Sequence, residues 1–272
     1  MSTIDYDEMG KFFGKSSRTL RRWEEEKPNK FKLFLEEFLE DSSVVNTKGN
    51  RIILLANLKG GTGKSTIADA LAYYLDDAVV VNIDLAQRSK NTNASDTVDY
   101  VDLMDKYSLA DIVKDLQKKY RFIIIDTPGD PTDELFDAAE LTNNIVMPMT
   151  IGKRTREATR TTLNILYGDE SEKKGNINIF FLFNSYTNKK KRLLATEKFK
   201  IMYDEFKISE CNKNITVKAK LGALDYSESI FTAEEQGKSV FTLAEENRMA
   251  YKSILDKISN TCNSIETFFC LQ

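Results

Sequence analysis

An α/β fold, in which a parallel sheet is covered by helices on both faces and preceded by a small all-α module, is predicted by this 272-residue sequence. Three observations lead there. From residue 51 onward, apolar β-branched runs alternate with helical patterns, the order that a parallel sheet with crossover helices requires. The runs are continuous rather than alternating, which predicts strands buried on both faces. The first 41 residues carry helical patterns alone and a different charge balance.

In chain order, "DEMGKFFGKSSRTLRRWEEEKP" reads as two short helices broken at Gly14, with Met9, Phe12, Phe13, Leu20 and Trp23 as a small core. Residues 11–32 hold eight lysines and arginines against three glutamates, so this region is locally basic in a chain whose net charge is −3. "FKLFLEEFLE" then lines up Phe31, Phe34, Leu35, Phe38 and Leu39 on one helical stripe. The small, polar "DSSVVNTKGN" separates the two compositions, giving a helical module at 1–41, a linker at 42–50 and an α/β domain at 51–272. Within that domain "RIILLAN" is a strand and "STIADALAYYL" a helix. "AVVVNID" is the next strand, and helix "SLADIVKDLQKKY" leads into strand "RFIIID". Strand "NNIVMP", helix "TREATRTTLNILY" and strand "NINIFFLFN" follow.

Composition narrows the functional classes. Hydrophobic residues at 41% and charged residues at 30% describe a soluble globular protein rather than a disordered one. No apolar run approaches the roughly 20 residues needed to span a bilayer, and "MSTIDYDEMG" lacks a signal peptide's apolar core, so the cytoplasm is the expected compartment. Cys211, Cys262 and Cys270 form no close C-x-x-C pair, and are read as buried or idle thiols.

The stretch "LANLKGGTGKST" (55–66) joins a strand to a helix through a glycine-rich turn and holds two lysines. This is the context of a phosphate-binding loop. Backbone N–H groups of Gly60, Gly61, Thr62, Gly63, Lys64 and Ser65 point inward at a β-phosphate, aided by the helix dipole. Lys64 bridges the β and γ phosphates, Ser65 offers its hydroxyl to Mg²⁺, and Thr66 lies near the α-phosphate. The ordinary pattern G-x-x-x-x-G-K-[ST] needs glycine at position 58, where this chain has Leu58.

"KGGTGKST" instead resembles the deviant phosphate loop (deviant Walker A) K-G-G-x-G-K-[ST] of the ParA/MinD family of P-loop ATPases, and the resemblance runs from about residue 51 to 260. It implies ATP and Mg²⁺ as cofactors. It also implies that Lys59 reaches the phosphates of ATP bound in the other protomer of an ATP-dependent sandwich homodimer. "RFIIIDTPGD" places Asp126 where the family holds Mg²⁺ through water. "FFLFNSYTNKKKR" places Asn184 where an asparagine reads the adenine edge. "SESIFTAEEQGKSVF" resembles the stretch ahead of the C-terminal helix. The family's apolar-Pro-x turn near the adenine reads Leu221, Gly222, Ala223 here, a departure that lacks the proline.

Among the family's branches, nitrogenase iron protein needs central cluster cysteines, and none precedes Cys211; a GTPase needs N-K-x-D, which "NKKK" at 188–191 does not supply. Membrane-bound MinD relatives end in a basic amphipathic helix, whereas "NSIETFFCLQ" has no lysine or arginine, so no membrane contact is expected. The plasmid and chromosome partition branch remains, and it fits the N-terminal module. Residues 6–25 resemble a helix-turn-helix with "SSRTLRRW" as recognition helix, so that Arg18, Thr19, Arg21 and Arg22 face phosphates and base edges of an operator. Lys189, Lys190, Lys191 and Arg192 form a basic loop for non-specific DNA. A ParB-like centromere-binding protein is the implied partner, and the nucleoid the implied location. Family members also carry D-x-D after the second strand. Asp84 matches the first aspartate, while Ala86 stands in place of the second, which positions the attacking water. Ala86 is either a natural variant or a substitution that traps the ATP state, and the second reading is preferred. The function read from all this is an ATP-dependent DNA partition ATPase and autorepressor, with hydrolysis impaired at Ala86. An ATP-sensing transcription regulator and a MinD-like positioning ATPase are the alternatives.

Overall fold

A computed structural model of the chain describes residues 20–22, 24, 51–75, 77–84, 99–102, 108–186, 189–225 and 240–269. The chain divides into two units, Met1–Gly49 and Asn50–Gln272. In the first, residues 20–22 and 24 are helical, with Leu20 buried and Arg21 and Arg22 exposed. Arg18 and Thr19 lie outside the described residues.

The second unit holds β1 (Ile52–Leu55), α1 (Lys64–Tyr74), β2 (Ala78–Asn82), β3 (Asp99–Asp102), α2 (Leu109–Leu116), β4 (Phe122–Asp126) and α3 (Asp133–Leu141). These are followed by β5 (Asn144–Met149), α4 (Lys153–Tyr167), β6 (Gly175–Tyr186), α5 (Lys189–Ser209), β7 (Ile215–Asp225), α6 (Val240–Glu246) and α7 (Arg248–Phe269). The seven strands pair in the order β3-β2-β4-β1-β5-β6-β7, and every pairing is parallel.

Strand periodicity sorts the apolar side chains into two cores. On one face Ile52, Leu54, Ile123, Ile125, Phe181 and Phe183 meet α2, α3, α4 and α5. On the other, Ile53, Leu55, Ile124, Phe180 and Leu182 meet α1, α6 and α7. The continuous apolar runs are therefore explained: neither face of the central strands reaches water. Helix α2 starts at a capping residue, since Ser108 Oγ accepts from Asp111 N. The carboxyl end of α3 is finished by a lysine, whose buried Nζ at Lys173 donates to Ala139 O at 2.6 Å and to Glu140 O and Thr142 O. Cations suit the negative end of a helix dipole.

Two expectations are corrected. Leu221, Gly222 and Ala223 are not a turn: they lie inside β7 and pair with Phe181, Leu182 and Phe183. Gly222 is there for space, because a Cβ would sit 2.5 Å from the Phe180 ring. Lys189–Arg192 is not a loop but the first turn of α5, which follows β6 almost directly.

Candidate phosphate-binding site

β1 is the middle strand, and its neighbours β4 and β5 belong to opposite halves of the sheet. Ligands of open parallel sheets bind at the carboxyl ends of the strands, at such a reversal of strand order. The chain leaves β1 with Ala56 N donating to Val146 O, turns through residues 57–63, and re-enters regular structure at Lys64. Gly61 and Gly63 have φ of 72° and 88°, the left-handed region that glycine enters without strain. Gly63 caps α1, and no acidic residue occupies the first turn of that helix. The positive end of the dipole thus faces the loop with no acid of the helix's own first turn against it, an arrangement that suits an anion.

The two loop lysines are placed differently. Lys64 is buried and donates from Nζ to Asn57 O at 3.2 Å, crossing the loop from its own helix. Burial pushes its pKa down, against the carboxylates of Asp126, Asp84 and Asp130, which push it up. Lys59 is exposed. The Thr62 hydroxyl donates to Lys59 O at 3.2 Å, which closes the turn between them.

Acidic groups converge from two strand ends. Asp126 closes β4, in register with Leu55 on one side and Asn82 on the other. Asp84 lies just beyond β2, its backbone N–H held by Asn82 Oδ1 at 3.0 Å. Burial pushes the Asp126 carboxyl up to about 6, while a hydrogen bond from Ser65 and the charge of Lys64 pull it down. Asp126 Oδ1 is buried without a hydrogen-bond partner. A serine hydroxyl and an orphaned carboxylate oxygen beside a phosphate loop fit Mg²⁺, a hard cation held by one or two protein oxygens together with waters and phosphates. Among the described residues no cluster of three or more metal-ligating acids, histidines or cysteines occurs.

Several of the sequence-predicted residues meet here: Ser65 and Lys64 of the loop lie beside Asp126, and Asp84 lies near both Lys64 and Asp126. Asn184 joins them, with Nδ2 donating to Thr62 O at 3.1 Å, so its amide rests on the loop backbone itself. Lys190, Lys191 and Arg192 lie in the first turn of α5, and Ala86 lies outside the described residues. Sequence reading missed several supports. Thr127 Oγ1 donates to Leu55 O at 2.7 Å, tying the end of β4 to that of β1. Gly129 lies so close to the loop that a Cβ there would stand 3.0 Å from Gly60 N. Asn57, Thr159 and Thr162 tie the loop to α4. Thr127 and Gly129 share the local signal "DTPGD"; Thr159 and Thr162 meet the loop across more than 100 residues.

A family model for the CobQ/CobB/MinD/ParA nucleotide binding domain matches residues 53–240. The chain belongs to this family. It is thus a P-loop protein of the ParA/MinD ATPase class. Among solved structures it is similar to the ParA family ATPase of Chlorobium tepidum TLS, at 15% identity and TM-score 0.52, covering 78% of this chain and 97% of that one. It is similar to pNOB8 ParA bound to nonspecific DNA, at 12% identity and TM-score 0.55, covering 79% and 97%. A third similar structure is the septum site-determining protein MinD of Pyrococcus horikoshii OT3 complexed with Mg-ADP, at 15% identity and TM-score 0.54, covering 79% and 96%. No curated protein matches the chain. Among the described residues no helix is long and apolar enough to cross a membrane.

Proposed function

We propose that this chain is a ParA-type DNA partition ATPase: ATP and Mg²⁺ drive a sandwich homodimer, the dimer binds DNA, and a ParB-like centromere-binding protein resets it. The observation that carries the reading is the contrast between the two loop lysines. Lys64 is turned inward, where it neutralises the β and γ phosphates in its own subunit. Lys59 is exposed on the same loop, where it can serve a nucleotide held by a second subunit.

The chemistry follows from these positions. Water attacks the γ-phosphorus in line, the bond to the bridging oxygen breaks, and ADP leaves. The loop N–H groups, Lys64 and the partner's trans lysine stabilise the charge spread over the phosphoryl oxygens. Ser65 and Asp126 would hold Mg²⁺, Asp126 through water, and the ion would supply neutralisation of the charge on the phosphoryl oxygens. Thr66 serves the α-phosphate, and Asn184 serves the adenine edge. Ala86 removes the carboxylate that orients the attacking water, because a methyl group accepts no hydrogen bond; turnover is therefore slow and the dimer long-lived. Arg18, Thr19, Arg21 and Arg22 read an operator through which the protein represses its own genes. The first turn of α5 carries Lys189, Lys190, Lys191 and Arg192 and no acid. Four cations at the positive end of a helix dipole do not favour the fold, which supports a role for them toward DNA phosphates.

The test uses two variants and light scattering with ATP and Mg²⁺. Lys64→Ala abolishes ATP binding. Lys59→Ala keeps monomer binding and loses the dimer. A Lys59→Ala protein that dimerises as the parent does would remove the trans-lysine reading.

A further inference from the structure

Beyond Leu55 the chain leaves the sheet, yet the two residues ahead of Lys59 remain fixed. Leu58 N donates to Thr162 Oγ1 at 3.0 Å. Asn57 Nδ2 donates to Thr159 Oγ1 at 3.1 Å and to Pro148 O at 2.9 Å. Both threonines are fully buried, at 0% exposure. Each hydroxyl has one proton, and in each it is committed to the helix: Thr159 donates to Thr155 O and Thr162 to Ala158 O, both at 2.8 Å. That leaves the oxygen lone pairs directed at the loop.

Positions 159 and 162 share one helix face. A face serving only to pack would use apolar residues, because a buried hydroxyl is costly unless its hydrogen bonds are made. Here the hydroxyls are spent on the chain just ahead of an exposed lysine. A lysine side chain is long and flexible, so its reach into a neighbouring subunit depends on where its backbone is held. Gly129 limits the same backbone from the β4 to α3 connection, since a Cβ there would come within 3.5 Å of Lys59 C.

We infer that Thr162, with Thr159 beside it, is a positioning residue that aims Lys59 at the nucleotide of a second subunit. The inference rests on the trans role proposed above for Lys59. Thr162→Val keeps the shape and removes the acceptor; Thr162→Ser keeps the acceptor. ATP affinity of the monomer is read by titration with a fluorescent nucleotide, and dimerisation with ATP and Mg²⁺ by sedimentation velocity. Thr162→Val weakens dimerisation by roughly threefold to tenfold, the value of one hydrogen bond, while ATP affinity stays within about twofold, and Thr162→Ser behaves as the parent. Thr162→Ala, which leaves room for a water at Leu58 N, is measured alongside and shows the same split if the valine protein fails to fold. Parent-like dimerisation by both Val and Ala, or equal loss of ATP affinity and dimerisation, overturns the inference and reduces Thr162 to a core residue. Lys59→Ala run in parallel separates the two levels. Its normal dimerisation removes the trans reading itself, whereas its failure beside a parent-like Thr162→Val removes the positioning role alone.

Discussion

Replacing Gly63 by alanine tests the geometry of the loop most directly. Its φ of 88° puts an alanine in the left-handed region, at a cost of about 1–2 kcal/mol. The added Cβ would lie 2.1 Å from Asn184 Nδ2, far inside contact distance, so the amide must swing away and surrender its bond to Thr62 O. Asn184 is buried, and an amide displaced without a new partner costs a further 1–3 kcal/mol or so. Gly63→Ala should therefore destabilise the protein by about 2–5 kcal/mol in urea denaturation, with the larger share arising from Asn184.

A double-mutant cycle isolates that share. In an Asn184→Ala background the obstructing amide is gone, and Gly63→Ala should cost only the backbone term, about 1–2 kcal/mol. The coupling between the two positions should therefore exceed about 1 kcal/mol. If Gly63→Ala costs the same in both backgrounds, to within about 0.5 kcal/mol, then Asn184 does not rest on the loop and the packing described here is wrong.

Replacing Lys189, Lys190, Lys191 and Arg192 by alanine should flatten the salt dependence of DNA binding by about 0.9 per lost phosphate contact. The same change should leave the melting temperature equal or higher, since cations at a helix start oppose the dipole; an unchanged salt slope would show a merely solvated turn. Ala86→Asp should raise phosphate release by roughly 10²–10⁴ with saturating DNA, the range for side-chain activation of an attacking group, and no gain would mean that another group serves the water. Burial pushes the Cys262 thiol up to about 12. Its thiolate is scarce at pH 8, so native-state alkylation followed by peptide mass spectrometry should label the half-buried Cys211 well before Cys262. Because folded Cys262 keeps its proton where the unfolded thiol has lost it, stability should fall as pH rises from 9 towards 12.

How much could be read from the chain depended on how local the signal was. The loop, with Lys59, Lys64 and Ser65, is contiguous, and Asp126 ends a strand of five buried residues, so both were legible. β3 was missed because "DYVD" is a four-residue edge strand with aspartate at both ends, a residue that strands disfavour. β7 was misread at Leu221–Ala223 because the family resemblance laid an apolar-Pro-x turn there, whereas Gly222 serves clearance from Phe180 within the strand. Lys189–Arg192 was read as a loop from its charge, and the apolar side chains that pack the helix onto the sheet, among them Phe199 and Phe206, come about two and four turns later. Thr159 and Thr162 have no pattern of their own: threonine on an amphipathic helix is ordinary, and its meaning arises only when the loop arrives beside it.

The strand order also bears on how motion is distributed in this protein. β1 has three strands on either side, so its amides are the farthest from any fraying edge. Its buried, doubly paired residues should exchange their hydrogens for deuterium only when the whole sheet opens, whereas β3 and β7, each paired on one side, should exchange through smaller openings. A nucleotide loop rooted in the slowest-exchanging strand can change conformation at residues 57–63 while its anchor stays still. Exchange kinetics in the loop and in β1 should therefore respond independently to ligand, the first within the cycle of binding and release, the second only on the timescale of global unfolding.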